Sequence, residues 1–109
     1  MNQDDVRALA LGLPEAVEQP HFDRASFRVG GKIFATLPPG GECVVLLRLP
    51  IEIKESLQQN DSRAIVSLGA WERPGVIQLA IGRMDPAKLA DLVRLAWREA
   101  APKRLRAGT

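Results

Sequence analysis

The chain has 109 residues, of which 46% are hydrophobic and 26% charged, a composition that fits one folded domain and excludes a disordered chain or a second core. Lys and Arg number 15 against 13 Asp and Glu, and the resulting net charge of +2 is too small to signal nucleic acid by itself. No apolar run approaches the roughly 18–20 residues of a membrane span, so no membrane partner is expected.

In chain order, Asn2–Leu13 reads as a helix. Asn2 can cap it, Asp4 and Asp5 favour the positive end of its dipole, and Val6, Leu9, Ala10 and Leu13 form one apolar stripe. Pro14 stops it. Residues 15–24 read as a polar connector around Pro20-His21-Phe22. Two β-rich runs follow, Ala25–Val29 and Lys32–Leu37, joined by Gly30-Gly31. Such a pair predicts an antiparallel hairpin, because tight hairpin turns need positive φ at their centre. A regular register pairs Phe27 with Phe34 and Val29 with Lys32. It turns Phe27, Val29 and Phe34 to the core, and Arg28, Ile33 and Ala35 away from it.

Pro38-Pro39-Gly40-Gly41 is a loop, and Cys43–Leu49 a third strand in which Cys43 reads as buried packing. Pro50 opens a second helix that ends near Asn60. Ala64–Ser67 is a short strand candidate, residues 68–75 are irregular, and Val76–Ile81 is the last strand. Asp85-Pro86 starts a final helix that runs to about Ala101, with Leu89, Leu92, Val93, Ala96, Trp97 and Ala100 on its apolar stripe. Pro102 ends it before a basic tail, 102–109, that can be flexible. The order αβββαββα predicts a single α+β domain over residues 1–109, with an antiparallel sheet.

Charge is unevenly distributed along the chain. Residues 1–23 carry five acids and one base, whereas residues 24–54 carry five bases and two acids. One reading is an ordinary mixed surface. The other is a basic hairpin, Arg24, Arg28 and Lys32, with Arg48 on the next strand, which could contact phosphates as a wing. The helix-in-groove DNA-binding modules have no counterpart here, and the aromatics fall mostly on core stripes, so base stacking is not expected.

Catalytic and metal chemistry find little support. His21 lies near Glu18 and Asp23 but has no nucleophile beside it in sequence, and a structural hydrogen bond is the plainer reading. One His and one Cys make no zinc spacing, and the N-terminal carboxylates read as a solvated face. Gly30-Gly31 lacks the spacing of a phosphate loop. Neither a metal nor a cofactor is expected. The lone cysteine and an acidic N-terminus fit the cytoplasm.

Several segments together resemble one family. They are Leu13-Pro14-Glu15, Pro20-His21-Phe22, Ser26–Ala35, Gly69-Ala70-Trp71 and Ala96–Leu105, and they are similar to the MmcQ/YjbR-like proteins of bacteria. The resemblance implies a CyaY-like α+β fold, also compared with a "double wing" DNA-binding domain, and a non-enzymatic DNA-binding role. Carried over by position, it marks His21, Arg28, Lys32, Arg48 and Trp71. This chain departs from the family in having Asp23 where glycine is frequent, Arg48 where lysine is usual and Val76 where an aromatic is common. It also lacks a His-Asn-Lys segment before Trp71. The rival expectation is a protein-interaction or small-ligand adaptor with an unknown partner, favoured if Asp23, Glu42 and Glu52 lie among the arginines. A frataxin-like iron-handling role is a remote third, since Asp4 and Asp5 are few acids for that task.

Overall fold

The structure, a computed structural model, describes residues 1–39 and 43–106, without the side chain of Trp71. Asn2 caps the first helix, α1 (Gln3–Leu11), as expected. Its side chain accepts from the Asp5 amide and the Asp5 carboxylate accepts from the Asn2 amide, each at 2.9 Å, which satisfies donors that the first turn leaves open. Val6 and Ala10 are buried, and Leu9 and Leu13 pack beside them.

The expected connector at 15–24 is instead a strand, β1 (Val17–His21), paired antiparallel with β2 (Arg24–Val29). Every β1 residue is exposed. A strand at the sheet's edge that buries neither face needs no apolar alternation, and Pro20 is tolerated there.

The hairpin at Gly30-Gly31 is present, joining β2 to β3 (Lys32–Leu37). Val29 pairs with Lys32 as expected, but Phe27 pairs with Ala35, and Arg28 with Ile33. Phe34 is therefore the extra residue of a β-bulge. The bulge puts Ala35 on the core side, where it is buried with Phe27, Val29 and Phe34, and leaves Arg28 and Ile33 opposite. The expectation that Ala35 points away fails for this reason.

Strand β4 (Val44–Arg48) buries Val45 and Leu47. Cys43 precedes it and is exposed, which corrects the expected burial. Pro50 serves as the cap of α2 (Ile51–Asn60), not its first residue. The expected strand at 64–67 reduces to a 3-10 turn, Ser62–Ala64, and a single bridge from Ile65 to Leu79. Strand β5 (Val76–Ala80) completes an antiparallel sheet of order β1-β2-β3-β4-β5.

Asp85 caps α3 (Pro86–Ala100) by accepting from the Lys88 amide at 3.1 Å. Leu89, Leu92, Val93, Ala96 and Trp97 are buried as α3 crosses β2, β3 and β4, and α1 packs against α3. The observed fold is α+β with one more strand before the hairpin and one fewer after α2 than the sequence suggests. The basic tail contains a short helix, α4 (Lys103–Arg106). Two links bind this C-terminal region to the loop after α1. Trp97 Nε1 donates to the Pro14 carbonyl at 3.0 Å, and Arg104 makes a two-pronged pair with Glu15 at 2.7 and 2.8 Å. No described helix is long and apolar enough to cross a membrane.

Candidate functional site

The bulge at Phe34 lies beside a groove in the molecule's surface. Strands β3 and β4 pair at Ala35–Leu47 and Thr36–Leu46, and the ladder stops before Phe34 reaches Arg48. A bulge bends its strand and ends pairing locally. The strands part there, and a groove of about 650 Å³ opens between them. Arg28, Lys32 and Arg48 line it, together with Ile33, Leu49 and Val76. The Leu49 amide donates to the Gly75 carbonyl at 2.8 Å, which holds the end of β4 against the Pro74-Gly75 wall. The last turns of α3 contribute Ala96, Glu99 and Ala100.

Basic residues without an ion pair among the described residues include Arg24, Arg63, Arg73, Arg83, Arg98 and Lys103 besides the three cations of the groove. Arg7, Lys54, Lys88, Arg94 and Arg104 each pair with a carboxylate, whereas Arg28, Lys32 and Arg48 form no ion pair with any described residue. Arg28 Nε donates to the Ser26 hydroxyl at 3.2 Å, and Ser26 in turn donates to the Gln19 carbonyl at 2.7 Å. Those bonds fix the stem of Arg28 along its strand and leave the outer guanidinium nitrogens for an anion.

Three of the four candidate cations therefore converge. Arg24 does not, because it lies at the other end of β2, in a second groove of about 420 Å³ with Glu18, Phe22 and Asp23. His21 is also at that end and is exposed, its ring edge-on to Phe22 at 4.9 Å between centroids. Trp71 lies in a 3-10 turn, Gly69–Trp71, and its side chain is outside the described part. Of the acids that could intrude among the arginines, Asp23 sits with Arg24, Glu52 does not line the groove, and Glu42 is outside the described residues. The acid that does line it is Glu99, which sequence reasoning missed. No group of three His, Cys, Asp or Glu suited to a metal ion occurs among the described residues.

An α+β domain of this architecture, with a cleft between splayed central strands, has recognisable relatives. The YjbR family model matches residues 11–99, and the chain belongs to the YjbR family. The crystal structure of Deinococcus radiodurans protein DR2400, a DUF419 domain, superposes with a TM-score of 0.81 at 19% identity, over 98% of this chain and 86% of that one. A Pseudomonas syringae protein from structural genomics gives 0.71 at 16% identity, over 92% and 99%. At these identities the likeness is one of fold. No curated protein matches the chain.

Proposed function

We propose that this protein is a non-enzymatic cytoplasmic domain that binds the phosphate backbone of DNA through the Arg28, Lys32 and Arg48 groove. The observation that carries this reading is the convergence of three cations on one groove without a carboxylate partner. Free guanidinium and ammonium groups bind phosphate oxygens by charge-assisted hydrogen bonds, and such contacts position a duplex without reading its sequence. Arg24 drops out of the proposed contact set because it lies at the other end of β2, in a different groove beside Asp23. With three phosphates neutralised, the log-log salt slope is about −2.7, and affinity falls roughly fortyfold between 50 and 200 mM salt.

Fluorescence anisotropy on unrelated duplexes tests this. Arg28→Ala, Lys32→Ala and Arg48→Ala should each flatten the slope by about one unit on every sequence. Arg24→Ala and Arg94→Ala should leave it unchanged. Equal effects from all five would reduce the binding to diffuse attraction, and no binding at 50 mM salt would exclude it. A second reading, a protein adaptor, is favoured by one observation. Phe22 is 92% exposed at a hairpin tip, where an aromatic side chain contributes nothing to the core.

A further inference from the structure

The groove holds charges of both signs that do not combine. Arg28, Lys32 and Arg48 line it, and so does Glu99 from the last turn of α3. Among the described residues Glu99 makes no ion pair, either with these cations or with any other base. A carboxylate repels phosphate, so contacts to a phosphate backbone leave Glu99 without a use. The walls are equally surplus to such contacts. Ile33, Leu49, Pro74 and Val76 are apolar, whereas a duplex laid along three cations needs only a charged surface.

The volume of about 650 Å³ is in the range of sites that enclose a small organic ligand, a nucleotide among them. A nucleotide presents an anion, a flat base face and, in adenine, cytosine and guanine, an amino group that donates. Those three features match the cations, the apolar walls and the carboxylate. Glu99 can only accept, and thymine has no amino group to give it. We infer that the groove takes one unpaired nucleotide of a DNA strand, an assignment that rests on the groove's binding of phosphates. Arg28, Lys32 and Arg48 hold its phosphate and those beside it, the apolar walls cover the base, and Glu99 accepts from the exocyclic amino group. No described aromatic side chain lines the groove, so recognition of the base falls on Glu99 and not on stacking. A base inside a duplex must first leave its stack, which costs free energy. Single strands and frayed ends therefore bind more tightly than a blunt duplex, and unpaired adenine, cytosine or guanine more tightly than thymine.

Fluorescence anisotropy at low salt with oligo-dC and oligo-dT of about eight nucleotides tests the inference. The two strands carry equal charge. Oligo-dC should bind roughly tenfold more tightly than oligo-dT, the worth of one hydrogen bond to a charged group, and more tightly than a blunt duplex of the same length. Glu99→Ala should abolish the difference and bind oligo-dT at least as well as wild type, because the carboxylate repels the strand. Glu99 is exposed, so the variant should keep the fold, with an unchanged circular-dichroism spectrum. Arg48→Ala should weaken both oligomers alike and keep their order. Free dCMP offers one phosphate to three cations and should displace oligo-dC only at far higher concentration. Displacement at equal nucleotide concentration would overturn the strand as ligand. Equal wild-type affinity for the two oligomers would overturn the inference, and so would a preference that survives Glu99→Ala. Duplex binding with the expected salt slope, but no gain for single strands, would overturn the inference alone. No binding of any strand would overturn the phosphate reading with it.

Discussion

At the end of the sheet where β2 turns into β3, segments far apart in sequence converge. Leu49-Pro50, Pro74–Val76 and the last turns of α3 line the groove there, and Gly30 lies against Pro102. At the end where β1 turns into β2, the second groove is lined by residues between Glu18 and Ala25 of one local hairpin. The first end holds three cations without carboxylate partners on a frame braced by α3. The second holds an exposed ring beside Asp23 and Arg24 on a strained turn. The contrast teaches that the groove depends on tertiary packing, whereas the tip depends on two residues. Perturbing the core should damage the groove end most, and editing the tip should leave the fold intact.

The largest effect should come from Trp97→Ala. Trp97 is 2% exposed and its indole N–H donates to the Pro14 carbonyl. Its loss should cost about 3–5 kcal/mol in denaturant melts and should weaken duplex binding with it. A cost below about 1 kcal/mol would mean that α3 does not brace the groove end. Next is Gly30→Ala. At φ 58° a new Cβ would sit 3.0 Å from Pro102 Cδ, so backbone strain and a close contact add. About 1–2 kcal/mol should be lost, and the same change at Gly31, which has open space around it, should cost less.

Phe22→Gly sharpens the comparison from the other side. It relieves the positive φ at a fully solvated position, so stability should stay within about 0.5 kcal/mol of wild type or rise. A clear loss would show that the ring serves the fold. The smallest effect concerns Glu15. Its two hydrogen bonds from Arg104 hold the carboxyl below its ordinary value of 4.5. A carboxyl depressed in the folded state supports the fold above its unfolded value, and that support is lost as pH falls through the folded value. Both side chains are exposed, so the change in stability is small. The direct check is an NMR titration of the Glu15 carboxyl. It should titrate below 4.5 in the wild type and return to the ordinary range in Arg104→Ala.

The Gly30-Gly31 hairpin, the caps at Asn2 and Asp85 and the apolar stripe of α3 were legible in the sequence, because each is set by residues within a few positions of one another. The bulge at Phe34 was not. Ile33-Phe34-Ala35 alternates no differently from a regular strand, and the bulge exists only in relation to β2. Strand β1 was hidden because an edge strand exposed on both faces leaves no apolar period. The same division runs through the candidate site. Arg28 and Lys32 flank one local turn, Arg28 opposite Ile33 and Lys32 opposite Val29, and Arg48 ends an obvious strand. Arg24 was grouped with them by sequence proximity alone, although four residues of extended chain carry it to the far end of the sheet. Glu99 and Pro74 reach the groove through packing across the whole chain, and no local pattern announces them. Phe22 was visible as a residue of a motif, but its exposure follows from the unread β1–β2 turn.

The central claim is that anions bind at the groove end of the sheet and not at the tip. Amide chemical-shift mapping during titration with a short duplex at low salt tests it most directly. The claim predicts shifts at Arg28, Gly31–Ile33, Arg48-Leu49 and Gly75-Val76, with residues 18–25 unmoved. Shifts concentrated at residues 18–25, or spread over every basic residue alike, would contradict it.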